Sequence, residues 1–101
     1  MGNPEKPTEV FSPYAIMRQN RIKTVLKYIA EKKKVNMNEI VGKFCIEWGL
    51  RSQRIREYLE ELKAANYVEF DYLTDIDNPD VLITEKGAEA AKNLRGEYGQ
   101  T

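Results

Sequence analysis

The chain has 101 residues, 42% of them hydrophobic and 32% charged, and its 16 basic side chains balance its 16 acidic ones. This length and composition indicate a single globular domain and argue against global disorder. No apolar run approaches the roughly 18 residues that a membrane span needs, and the single cysteine, Cys45, excludes an internal disulfide. We expect a cytoplasmic protein, because free thiols persist in that reducing compartment.

Histidine is absent from the sequence, which removes the usual general base, the usual catalytic triad and most transition-metal sites. The chain also lacks a glycine-rich phosphate loop, a Gly-x-Ser-x-Gly nucleophile turn and paired cysteines. We therefore expect a protein that is not an enzyme, with no catalytic residue, no metal site and no cofactor.

Charge is sorted by position along the chain. Residues 15–56 carry eleven basic and three acidic side chains, a net charge of +8, whereas residues 57–101 carry four basic and eleven acidic ones, a net charge of −7. A basic half raises the local concentration of polyanions, and nucleic acid is the commonest polyanion. The pattern therefore predicts a nucleic-acid partner.

The first predicted element is a helix that follows a flexible arm. Residues 1–11 contain two prolines and lack the apolar stretch of a secretory signal. Ser12 then reads as an N-cap with Pro13 at the first helical position. The helix is predicted from Tyr14 to Lys32 because apolar residues recur there at helical spacing, at Ile22, Val25, Leu26 and Ile29.

Two further helices are predicted on either side of a tight turn. Asn36 and Glu39 have capping-box spacing and predict the start of the second helix, and Gly49 predicts its left-handed end. Trp48, at the end of this helix, is expected in the core, with a subunit contact as the alternative. The third helix is predicted from Ser52 to Ala65, with Asn66 as its terminator and an apolar face of Ile55, Tyr58, Leu59 and Leu62.

The hydrophobic period changes after Asn66. Residues 67–72 alternate as a half-buried strand does, and residues 81–83 predict a second short strand. The polar stretch between them contains the turn signal Asn78-Pro79, so the two strands predict a hairpin with a long tip. Thr84 is expected to cap a last helix that runs to about Leu94, and residues 96–101 are predicted to be a disordered tail.

This order of elements resembles the winged helix-turn-helix regulators of bacteria and archaea, such as the MarR, ArsR and PadR-like groups. Residues 49–62 are similar to the turn and recognition helix of these proteins at the apolar positions, and residues 82–87 resemble the strand and T-x-x-G step before their C-terminal helix. The resemblance implies an α+β fold over residues 12–95, with three helices, a two-stranded β wing and a C-terminal helix.

The resemblance also implies which side chains contact double-stranded DNA. A helix in the major groove presents the residues of its first turns to base edges, where arginine pairs with guanine and glutamine with adenine. The expected contacts in the third helix and its turn are Arg51, Ser52, Gln53, Arg54 and Arg56, and flanking basic contacts are Arg21, Lys34 and Lys43. The alternative is that these are solvated surface residues without a ligand.

The predicted wing departs from the family pattern because its tip is acidic. It carries Asp71, Asp75, Asp77 and Asp80 and no basic residue, so DNA would repel it and we expect it to point away from DNA or to meet a protein. The spacing of these aspartates is faintly similar to a calcium loop, but the glycine and terminal glutamate of that pattern are missing. We therefore expect a solvated acidic loop.

The sequence favours a homodimer that regulates transcription, as a repressor, by occupying DNA. Apolar residues at the two chain ends are expected to form the dimer interface, namely Phe11, Tyr14, Met17 and Leu94. One alternative is a plasmid- or virus-type adaptor that coats a DNA site, such as an archaeal partition protein. The other is a winged helix used for protein–protein contact, with the acidic wing and C-terminal half facing the partner.

Overall fold

The protein is an α+β domain of four helices and a small antiparallel sheet, as seen in a computed structural model that describes residues 13–73 and 75–98. The predicted α+β class is therefore confirmed. The expected arm of residues 1–11, the Ser12 cap and Phe11 lie outside the described residues. In chain order the elements are α1 (Pro13–Lys32), β1 (Lys34–Asn36), α2 (Met37–Trp48), α3 (Ser52–Ala64), β2 (Val68–Glu69), β3 (Asp80–Ile83) and α4 (Glu85–Tyr98).

The ends of α2 follow the capping signals in the sequence. The Asn36 side chain accepts a hydrogen bond from the Glu39 N–H at 2.9 Å, which satisfies one of the amides that a helix start leaves unpaired. Gly49 ends the helix in the left-handed region, with φ 66° and ψ 35°, and its N–H donates to the Cys45 carbonyl. The return contact of a capping box is replaced, since the Glu39 carboxylate accepts from the Tyr28 hydroxyl instead.

The end of α3 is a Schellman turn centred on Asn66. Asn66 adopts φ 68°, a left-handed conformation that asparagine tolerates better than most residues. Its N–H donates to the Lys63 carbonyl, and the Tyr67 N–H donates to the Leu62 carbonyl. The predicted terminator of α3 is thus confirmed, and the helix ends one residue before its predicted limit.

The sheet has three strands, whereas the sequence predicted two. Lys33 adopts φ 68° and turns the chain out of α1, after which Lys34, Val35 and Asn36 pair with β3. No strand was predicted over these residues, because a strand of three residues is too short to show an alternating pattern. The strand order is β1-β3-β2.

The register of the sheet gives it one buried and one exposed face. Val35 lies opposite Val81, and both are buried, as is Val68 on β2. The other face carries the exposed side chains of Lys34, Leu82 and Glu69, which are paired across the three strands. Only two residues of the alternating segment 67–72 pair as a strand, at Val68 and Glu69.

The buried face of the sheet closes a core made with all four helices. Ile22, Val25, Leu26 and Ile29 of α1 are buried, as the helical spacing predicted. Aromatic rings extend this core along α2, because Phe44 stacks on Trp48 with ring centroids 4.6 Å apart. Trp48 is partly buried and packs against the core, in agreement with its expected place.

The last helix differs from its prediction in length and in packing. Thr84 caps it as expected, since its hydroxyl accepts from the Gly87 N–H at 2.9 Å. The helix runs to Tyr98, past the predicted end at Leu94 and into the predicted tail. Ala91 and Leu94 are buried in the chain's own core, because α4 packs along α1.

Candidate nucleic-acid interface

The turn between α2 and α3 brings the start of α3 to the surface. Gly49 reverses the chain, Leu50 packs against the core, and Arg51 forms the N-cap of α3 with extended backbone angles. No side-chain hydrogen bond caps this helix. The positive end of the helix dipole therefore lies at the surface beside an arginine, which favours an anion there.

Four of the predicted α3 residues lie around the start of this helix. Arg51, Ser52 and Gln53 are exposed, and Arg54 is half-buried at the edge of the same turn. An open depression of about 420 Å³ lies among them, lined by Gly49, Leu50, Arg51, Gln53, Arg54 and Glu57. The arrangement provides two guanidinium groups and one amide side chain around a helix start.

Arg54 is held in place by two partners that were not predicted from the sequence. Its Nη1 donates to the Tyr14 hydroxyl at 3.1 Å, and its Nε lies 3.5 Å from the Glu57 carboxylate. The Glu57 contact was readable from the sequence as an (i, i+3) pair on one helix. The Tyr14 contact joins α1 to α3 over 40 positions, and no local pattern indicates it.

Arg56 lies on the other flank of α3, away from this group. Its Nη1 contacts the buried sulfur of Met37 at 3.3 Å, and it faces Tyr72 beyond β2. Burial raises the pKa of the Tyr72 phenol, and the carboxylate of Glu60 raises it further, while Arg56 opposes them. The structure thus separates Arg56 from the other predicted contacts, because one residue advances the helix by about 100°.

Two flanking lysines are also directed elsewhere. Lys43 on α2 pairs with Glu47 at 3.6 Å and lies over the Tyr28 ring. Lys34 lies on the exposed face of the sheet and is 3.9 Å from Asp80. Neither lines the depression at the start of α3. The prediction that they contact DNA rested on charge along the chain, which does not specify a face.

Arg21 lies closer to the turn. Its guanidinium is over the Trp48 ring, 5.5 Å from the centroid, and Trp48 is the last residue of α2 before Gly49. Arg18, one turn earlier on α1, is paired with Glu61 of α3, and this hydrogen bond raises the pKa of Arg18. The N-terminal half of α1 therefore contributes basic groups along one flank of α3.

The outward face of α3 changes sign after its first turn. Gln53, Glu57 and Glu60 follow one another at helical spacing on the exposed ridge, and Glu61 is exposed beside them. A straight anion laid along the whole helix would meet three carboxylates. Only the N-terminal end of α3 is suited to a phosphate or a base edge.

Tyr28 belongs to a separate charged cluster between α1 and α2. Its hydroxyl donates to Glu39 at 2.7 Å, and Lys32 lies over its ring. Burial, together with this hydrogen bond to a carboxylate, raises the pKa of Tyr28 to about 12. The phenol is therefore neutral near pH 7, and the cluster serves to join α1 to α2.

The described residues between β2 and β3, 70–73 and 75–79, are called the acidic loop. Its shape comes from its own carboxylates, because Asp75 accepts from the N–H groups of Asp77 and Asn78, and Asp71 accepts from the Leu73 N–H. Asp71, Asp75 and Asp77 are exposed. Within residues 13–73 and 75–98, no three acidic, cysteine or histidine side chains gather to hold a metal ion.

The four residues predicted for a dimer interface have different surroundings. Tyr14 and Met17 are exposed on α1, and Phe11 lies outside the described residues. Leu94 is buried within its own chain, which differs from the surface position expected of a dimer contact. The apolar residues of α4 were interpreted as surface that the core does not need, because the sequence of α4 alone does not show that α4 packs on α1.

Comparisons of the chain with protein-family models, with curated proteins and with solved structures found no match. In the part of the chain that the structure describes, every helix is too short or too polar to cross a bilayer.

Proposed function

We propose that the protein is a winged helix-turn-helix protein that binds double-stranded DNA. In this proposal α2, the Gly49 turn and α3 form the helix-turn-helix, and β2, the acidic loop and β3 form the wing. The observation that carries the proposal is the exposed start of α3, where Arg51, Gln53 and Arg54 surround a helix end without a side-chain cap.

The residues at the start of α3 take different roles in the proposed complex. Arg51 and the first-turn backbone N–H groups bind a phosphate, because the helix dipole and the guanidinium both favour an anion. Gln53 and Arg54 reach base edges, since a glutamine amide matches adenine and a guanidinium matches guanine. The contacts of Arg54 with Tyr14 and Glu57 keep its side chain in position before DNA arrives.

The charge pattern of α3 sets the angle of approach. Glu57 and Glu60 repel phosphates along the middle of the helix, so α3 enters the major groove with its N-terminal end foremost. Helix-turn-helix proteins read bases mainly with residues of that end. The acidic loop is directed away from the backbone of the DNA for the same electrostatic reason.

We further propose that the protein regulates transcription in the cytoplasm as a homodimer, and acts as a repressor by occupying its site. A single small module buries little surface, and pairing two half-sites about one helical turn (~34 Å) apart raises affinity. Tyr14, Ile16 and Met17 are exposed apolar residues of α1 that are available for self-association.

Alanine variants of Gln53 and Arg54 test the proposed base contacts. A preferred duplex is first selected from a random pool, and binding is then measured by fluorescence anisotropy on that site and on random duplex. We expect Gln53→Ala to cost about 1–3 kcal/mol on the preferred site and much less on random DNA. Lys92→Ala, a change of an exposed basic residue on α4, is the control and should leave both affinities close to wild type.

The outcomes separate three cases. A loss confined to the preferred site supports base contact, and an equal loss on every sequence makes the residue a phosphate contact. Unchanged affinity on both duplexes for both variants contradicts the placement of the interface at the start of α3.

A second candidate function is favoured by the acidic loop alone. Leu73 and Ile76 are exposed beside its aspartates, which suits a contact with a basic protein surface better than a contact with DNA. In that case the winged helix binds a protein, and duplex DNA does not bind at low salt.

A further inference from the structure

The acidic loop presents two large apolar side chains to solvent. Leu73 is 92% exposed and Ile76 is 75% exposed. Both lie among the carboxylates of Asp71, Asp75 and Asp77, in a loop whose turns are fixed by hydrogen bonds to its own aspartates. Apolar side chains held outward on a defined loop, ringed by one sign of charge, are typical of a contact with a protein surface of the opposite charge.

A surface with those properties exists on α1 of the same protein. An open groove of about 570 Å³, here called the α1 groove, is lined by Pro13, Ile16, Met17, Asn20, Arg21, Thr24 and Trp48. Ile16 and Met17 are 49% and 42% exposed, and Arg21 supplies positive charge over the Trp48 ring. Arg21 is the basic residue among those that line the groove, and the lining contains no acidic residue.

The acidic loop and the N-terminal part of α1 both contact α3. Arg18 and Tyr14 of α1 contact Glu61 and Arg54, and Tyr72 of the loop donates to Glu60 at 3.3 Å. Leu73 and Ile76 are 92% and 75% exposed, so they do not occupy the α1 groove of their own chain and are available to another copy.

We propose that the acidic loop of one copy docks in the α1 groove of a second copy. Leu73 and Ile76 pack on Ile16 and Met17, and the aspartates of the loop face Arg21. The two surfaces are different, and a closed homodimer forms when the loop of each copy occupies the groove of the other. This pairing names the partner surface for the self-association proposed above and does not require DNA.

The contact is compatible with DNA binding. The α1 groove and the depression at the start of α3 share no lining residue, so a docked loop leaves Arg51 and Gln53 accessible. Docking also covers carboxylates that would otherwise repel a neighbouring phosphate backbone. Copies joined in this way present several α3 ends at once, which raises avidity for DNA.

The first test removes the apolar contacts of the acidic loop. Sedimentation velocity of the full chain without DNA, over a range of concentrations at low salt, measures self-association. We expect Leu73→Ser combined with Ile76→Ser to weaken self-association by about tenfold or more, since both lie at the centre of the contact. Ile46→Ser is the matched control, because Ile46 is an equally large side chain, 86% exposed on α2, and outside both surfaces.

The second test exchanges charge across the contact. Asp77→Lys and Arg21→Glu should each weaken self-association, and an equimolar mixture of the two variants should restore it, since the mixture contains an intact loop and an intact groove. Circular dichroism checks that each variant is folded. If Arg21→Glu is unstable because it loses the contact with Trp48, Met17→Ser replaces it and should weaken self-association in the same way.

Clear results would overturn the proposal. If Asp77→Lys or the Leu73/Ile76 double variant self-associates as strongly as wild type, the loop lies outside the interface. The same conclusion follows if the mixture of Asp77→Lys and Arg21→Glu self-associates no more strongly than either variant alone. If the full chain is monomeric at about 100 μM in low salt, the proposed contact is contradicted. None of these results bears on DNA binding by the α3 end, which is measured separately with duplex.

Discussion

At the scale of single residues, the T-x-x-G step of the sequence has a structural cause. The Thr84 hydroxyl accepts from the Gly87 N–H and lies within hydrogen-bonding distance of the Asn66 and Tyr67 carbonyls. A Cβ on Gly87 would overlap the Tyr67 carbonyl oxygen and crowd the Ile83 side chain. Glycine is required there because the backbone after α3 passes directly against the first turn of α4.

Gly87→Ala should therefore destabilise the protein. We expect the free energy of unfolding to fall by about 1–3 kcal/mol, since the obstructing atoms are backbone and cannot rotate away. Gly42→Ala is the control, because Gly42 lies in the middle of α2 with nothing near its Cβ position. That change should raise stability by about 0.5–1 kcal/mol. Urea unfolding followed by circular dichroism measures both, and a neutral Gly87→Ala would contradict the close approach.

At the scale of elements, α3 is a helix with a basic start and an acidic body. Its inner face of Ile55, Tyr58, Leu59 and Leu62 is buried as its spacing predicted. On its outer face, the carboxylate of Glu57 lies beside Arg54. A negative charge is therefore next to a proposed base contact. The net attraction of the α3 end for DNA should depend on that carboxylate.

Glu57→Gln should strengthen duplex binding. The change removes a negative charge beside Arg54 and leaves a side chain of the same size, and a unit charge about 4 Å from another contributes about 1 kcal/mol in water. We expect a gain in affinity of up to that amount at low salt. Glu89→Gln, the same change at an exposed position of α4, should have little effect, and an equal gain from both variants would indicate only a general field.

The elements also show which parts of the fold local sequence can and cannot predict. Helices, caps and the Gly49 turn were predicted because each depends on residues within a few positions, as at Asn36 and Asn66. The strand β1 was missed because its three residues are defined by pairing with β3, more than 40 positions away. The burial of Leu94 and the contact of Tyr14 with Arg54 were missed for the same reason.

The candidate site was predicted in part. The four α3 residues from Arg51 to Arg54 come together because they are consecutive and lie at a helix start. Arg56, Lys34 and Lys43 were grouped with them by charge, yet each is directed to another face by the helix or strand that carries it. Residues that are close in sequence form one site only where the helix or strand that carries them places their side chains on the same face.

At the scale of the whole molecule, basic side chains gather on α1 and at the α2–α3 turn, and acidic side chains gather in the acidic loop. In the two proposals, the basic residues attract DNA to the start of α3, and the acidic loop contacts a second copy of the protein. The proposed function requires that duplex DNA binds the basic residues at the start of α3.

Anisotropy of a labelled random-sequence duplex, titrated with the full chain at ~50 and ~200 mM salt, tests this claim most directly. We expect micromolar or tighter binding at the lower salt, with log K falling by roughly 0.9 per neutralised phosphate for each unit of log salt. For four phosphate contacts the affinity should drop about 150-fold between the two conditions. No binding at micromolar protein in ~50 mM salt would contradict the claim.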